Sequence, residues 1–110
     1  MGFAANQARL MGLISRQSDL ELEAQFIEQQ KMFYANMTSG FFNLSAKLDP
    51  NSPAAKILEG RIKQLQQADK ILDMHLKRIS SQREAVVKEK DSLDKLISEN
   101  IKSSFGAMGK

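Results

Sequence analysis

The sequence predicts an all-α fold: an antiparallel, coiled-coil-like two-helix hairpin, with helices over about 5–48 and 53–105. Three observations carry this. Apolar side chains recur every seven residues in the first half of the chain, and again in the second half. A polar, proline-flanked pentapeptide separates the halves. Gly (6) and Pro (2) are otherwise few, which suits long helices and not an all-β fold.

The first helix rests on Leu13, Leu20, Ile27, Tyr34, Phe41 and Leu48, an unbroken column at a spacing of seven. Seven residues make two turns of an α-helix, so such a column is one straight stripe able to face a partner helix. The turn follows at Asp49-Pro50-Asn51-Ser52-Pro53. Pro50 disfavours helical backbone at Asp49 and closes the first helix. Ser52 is placed to cap the second helix, with Pro53 at its first position. The second helix rests on Leu58, Leu65, Leu72, Ile79, Val86 and Leu93, a second unbroken column. A connection this short makes the helices antiparallel neighbours. Pairing the columns outward from the turn sets 48 against 58, 41 against 65 and 34 against 72, and brings Asn6 opposite Asn100. A polar layer of that kind fixes register in coiled coils, and a frayed, solvated end is the equal alternative. Gly106 then reads as a C-cap before a loose tail at 106–110, and the whole chain, 1–110, as a single helical-hairpin domain. A break near Gly40, giving a compact three-helix bundle, is the alternative.

Composition narrows the function. Cysteine is absent, which removes disulfides, thiolate metal sites and thiol nucleophiles. His75 is the only histidine, and Leu72 stands where a Glu-x-x-His metal motif needs Glu. A solvated histidine is the expectation, with no metal and no cofactor. No phosphate loop, nucleophile elbow or paired-carboxylate constellation is present, so neither catalytic residues nor enzymatic activity are expected. The net charge of +3 arises wholly after residue 48, where twelve basic and nine acidic residues are interspersed. Acids interleave the basic pairs Arg61/Lys63, Lys77/Arg78 and Lys88/Lys90, and no aromatic residue lies between 43 and 104. Nucleic acid is therefore not an expected partner. The longest uncharged stretch, Met32 to Ala46, is too short and too polar to span a bilayer. The opening MGFAANQARLMGLISRQ lacks a charged region followed by an apolar core, so no cleaved signal is expected. Asn6 breaks the myristoylation pattern.

A two-helix seam does not use all the apolar residues. Beside the second column, Ile62, Asp69, Leu76, Arg83, Lys90 and Ile97 are half charged, while Phe26, Phe33, Phe42, Ile71, Met74, Ile101 and Phe105 fall off the seam. These seven are the expected self-assembly surface, since a thin hairpin leaves them in water.

The stretch from Ser45-Ala46-Lys47-Leu48 through Pro50-Asn51-Ser52-Pro53 and Leu58 to the terminal Leu96–Phe105 segment resembles type III secretion needle subunits. Those are short bacterial helical hairpins with a Pro-flanked turn, exported without a cleaved signal and stacked into a helical tube. The resemblance implies a homo-oligomeric, filament-forming structural subunit, secreted or at the cell surface, with itself and secretion-system components as partners. The opening Ala5-Asn6-Gln7-Ala8-Arg9-Leu10, with Ser18-Asp19-Leu20-Glu21, is similar to the start of small uncharacterised bacterial proteins. The alternative role is a cytoplasmic coiled-coil adaptor or secretion chaperone that offers an apolar face to a client.

Overall fold

The computed structural model describes residues 2–108, except for the side chains of Phe105, Ala107 and Met108. It contains two helices, α1 (Phe3–Ser45) and α2 (Pro53–Met108), and no strand among the described residues. The fold is the all-α helical hairpin. Gly12 and Gly40 lie inside α1 and leave it unbroken, so the three-helix alternative does not form.

Helix ends differ from expectation in physically legible ways. α1 starts at Phe3 instead of residue 5, with the Asn6 amide donating to the Gly2 carbonyl at 3.2 Å. It ends at Ser45 instead of 48, because the chain tightens there. Lys47 N–H reaches the Leu44 carbonyl and Leu48 N–H the Ser45 carbonyl, each at 3.1 Å, in the three-residue spacing of a closing 3₁₀ turn. α2 continues through Gly106 to Met108, past the expected end at 105. No glycine among the described residues has a positive φ, so Gly106 is a helical residue and not a left-handed cap. Of the expected loose tail, 109 and 110 lie outside the described residues.

The turn is built by Asp49 and Ser52. Asp49 Oδ1 accepts from the Asn51 amide at 3.0 Å, and the Asp49 carbonyl accepts from the Ser52 amide at 2.9 Å and hydroxyl at 2.7 Å. Ser52 Oγ in turn accepts from the Ala55 amide at 3.2 Å. That is an N-cap satisfying a helix-start donor, with Pro53 at the first helical position.

Contacts divide the chain into two units. One comprises Glu23–Arg78, the turn with the helical segments leading into and out of it. Its buried apolar residues are Ala55, Leu58 and Ile62, with Ile27, Tyr34, Phe41, Leu48, Leu65 and Leu72 half-buried. The other comprises Met1–Leu22 with Ile79–Lys110. There Leu20 (0% exposed) and Ile79 (1%) are sealed, Leu93 is buried, and Leu13 and Val86 are half-buried.

On α1 the inward side carries a second column, Leu10, Gln17, Ala24, Lys31, Thr38 and Ser45, all half-buried. The small and polar character of this column keeps the seam thin. In the Glu23–Arg78 unit, Lys31 enters the seam at 26% side-chain exposure and donates to Asp73, with Asp69 at 3.7 Å. The charged positions beside the α2 column are thus partly answered from α1. Strict level pairing would set Lys31 against residue 75, yet it bonds at 69 and 73. Tyr34 and Thr38 likewise share one cleft with Leu65 and Asp69. Lys31 and Tyr34 thus meet α2 residues nearer the turn than level pairing would place them, while Thr38 sits close to level.

Candidate interaction surface

In the Glu23–Arg78 unit, one side of α1 faces away from α2. It is formed by Gln25, Phe26, Gln29, Phe33, Asn36, Ser39, Gly40 and Asn43, all exposed and none charged, with Glu28 and Met32 along one edge. Phe26 is 63% exposed and Phe33, one heptad later, 59%. Met32 and Phe42 are exposed too, but each lines a cleft with α2 residues, Met32 with Asp69 and Leu76 and Phe42 with Ala55, Glu59 and Ile62. The Phe33 ring leans toward Tyr34, centroids 6.1 Å apart and planes at 49°. Tyr34 itself turns to the seam, its hydroxyl accepting from Gln30 Nε2 at 3.1 Å. Thr38 Oγ1 donates to the Tyr34 carbonyl at 2.8 Å, so even this helix-interior threonine spends its hydroxyl locally.

Single exposed apolar residues are ordinary on a protein surface. Two exposed phenylalanines one heptad apart, without a charge between them on that face, are a feature of the kind that marks a contact. The absence of charge matters as much as the rings. Assembly on this face would desolvate amides and hydroxyls only, and not ions.

The outward side of α2 in the same unit has the opposite character. Lys56, Lys63, Lys70 and Lys77 recur every seven residues and are all exposed, with Arg78 beside them. Exposed Ile57, Ile71 and Met74 (68%) sit among these cations. The three acids of this stretch of α2 are placed elsewhere or paired: Asp69 and Asp73 turn to Lys31, and Glu59 lies 3.4 Å from Lys63. His75 is half-buried, and no group of three metal-ligating side chains gathers among the described residues.

In the Met1–Leu22 with Ile79–Lys110 unit, Ile101 is exposed, and so are Met11, Ile14, Leu22, Val87 and Leu96. The side chain of Phe105 lies outside the described residues. Cross-helix ion pairs flank this unit's seam, Arg9 with Glu89 and Arg83 with Glu21 at 3.5 Å. All four side chains are largely exposed, and such pairs contribute little. Asn6 is 3% exposed and its Nδ2 has no hydrogen-bond partner among the described residues, so the Asn6–Asn100 layer is not closed by that group.

The six described members of the expected self-assembly set are therefore all exposed, but within the Glu23–Arg78 unit four of them divide between two chemically different sides. Phe26 and Phe33 lie on the uncharged side of α1, whereas Ile71 and Met74 lie on the basic side of α2. Reading the basic residues as adjacent pairs along the chain concealed this; the heptad column of lysines was the available signal. No helix among the described residues is long and apolar enough to cross a membrane. In comparisons with known proteins, the chain matches no protein-family model, no curated sequence and no solved structure.

Proposed function

We propose that this chain is a structural subunit that assembles with copies of itself through the outward face of α1, building a filament. The observation that carries this reading is the pair Phe26 and Phe33, open to solvent on a face without a charge. Each ring buried against a neighbour contributes about 2–3 kcal/mol, and like faces meet there without electrostatic repulsion. The basic side of α2 is unsuited to that contact, because lysine columns brought together repel. Assembly therefore overlaps the α1 faces of successive copies in a staggered, head-to-tail way, which keeps the stack open where a two-fold contact would close it, and leaves the lysines outward. The likeness of the Pro-flanked turn and terminal helix to secretion needle subunits supports an open stack over a closed pair, and with it a place outside a bacterial cell, reached through secretion-system components without a cleaved signal. Nothing in this role calls for catalysis, a metal or a cofactor.

Negative-stain electron microscopy at rising protein concentration tests the proposal. Filaments are the expected result. Discrete dimers or tetramers that never extend would instead support a coiled-coil adaptor or secretion chaperone holding a client on the same face.

A further inference from the structure

We propose that the outward side of α2 between Lys56 and Arg78 docks on an anionic lipid bilayer, with the helix lying along the surface. This stands apart from the assembly reading and uses the opposite side of the Glu23–Arg78 unit. Lys56, Lys63, Lys70 and Lys77 form one column, and seven residues of helix rise about 10.5 Å, so the four ammonium groups are spread over about 32 Å in a straight row. The acids that would cancel them are engaged. Lys31 of α1 draws Asp73, and Asp69 at 3.7 Å, toward the seam, and Glu59, 3.4 Å from Lys63, is the acid paired within the row.

Two features favour lipid over nucleic acid. Exposed Ile57, Ile71 and Met74 stand among the cations, where they gain nothing from phosphates in water but can enter the headgroup–acyl boundary. The segment also has no aromatic side chain on which a base could stack. A row of lysines on a straight helix meets negative charge along its whole length on a flat anionic surface, and each lysine close to such a surface strengthens binding roughly fivefold. The apolar contribution is shallow, so the attachment is peripheral and reversible.

Co-sedimentation of the full chain with vesicles decides the matter, using phosphatidylcholine alone and phosphatidylcholine mixed with phosphatidylglycerol. Binding is expected only to the mixed vesicles, and it should fall as salt shortens the screening length from about 8 Å to about 3 Å. Lys56→Gln with Lys77→Gln, both exposed, should weaken binding roughly 25-fold at unchanged helicity. Glu59→Gln, which frees Lys63, should strengthen it. Phe26→Ser with Phe33→Ser should leave binding to vesicles intact, which separates this proposal from the failure or success of the assembly reading. Equal binding to both vesicle types, no binding, or an unchanged affinity in the double lysine variant overturns it. So does tighter binding to duplex DNA than to vesicles that survives Ile71→Ser with Met74→Ser, which would assign the face to nucleic acid.

Discussion

Replacing Gly40 with alanine probes the continuity of α1 most sharply. Gly40 lies five residues before the end of a 43-residue helix, and a Cβ built on it meets nothing within 4 Å. No packing penalty therefore offsets the backbone gain, and the full helix-propensity difference of about 0.8–1.0 kcal/mol should appear as added stability. For a chain of this size that corresponds to a rise in midpoint of about 4 °C. The assay is thermal unfolding followed by far-ultraviolet circular dichroism, at a concentration low enough for the chain to be monomeric. Gly60→Ala is the internal control, since Gly60 lies in α2 with equally open surroundings. Both variants should gain by similar amounts. If Gly60→Ala stabilises and Gly40→Ala destabilises, the backbone at Gly40 is not helical in solution and the unbroken α1 is refuted.

Three other perturbations test separate parts of the structure. The hydrogen bond from Lys31 to Asp73, with the nearby Asp69 carboxylate, raises the Lys31 pKa above its ordinary 10.5 despite partial desolvation. A raised folded pKa gives stability that is complete below 10.5 and lost as pH climbs through the folded value. Urea melts should therefore show a loss above that pH which Lys31→Met lacks, and identical losses in both proteins would contradict the pairing. Cysteines at Thr38 and Leu65, which line one cleft, should oxidise to an intramolecular disulfide faster than cysteines at Phe41 and Leu65; the reverse order would restore level pairing of the columns. Asn6→Leu removes a buried amide donor that has no partner among the described residues, and should stabilise by about 1–3 kcal/mol in chemical unfolding. A loss of stability there would mean that the amide is satisfied in solution.

The hairpin was legible because its strongest signals are local and repetitive. Leu13 to Leu48 and Leu58 to Leu93 keep the period of seven, and Ser52-Pro53 announces a helix start that the Ala55 amide confirms by donating to Ser52 Oγ at 3.2 Å. The end of α1 was less legible. No glycine or proline marks Ser45, and the tightening at Lys47 and Leu48 depends on backbone geometry that Leu48, a good helix former, does not advertise. The second column of the seam was hidden for another reason. Lys31, Thr38 and Ser45 carry no apolar signal, and the charge at Asp69 beside the Leu column is answered only by Lys31 from the other helix. Pairing of that kind is a tertiary fact and leaves no periodic trace in one helix. The off-seam phenylalanines could be listed from the sequence. Their separation from Ile71 and Met74 onto a different side needed the three-dimensional placement of the lysine column.

In the proposed assembly the uncharged face of α1 holds copies together. Light scattering and sedimentation on the native chain and on Phe26→Ser with Phe33→Ser, each followed by circular dichroism, test it most directly. Because both rings are exposed in the single chain, the double variant should stay fully helical and fall to the mass of one chain at concentrations where the native protein is assembled. A double variant that keeps the native mass would show that these rings are not the contact. One that loses its helicity even at high concentration would show that they belong to the fold of the single chain, and either result contradicts the account.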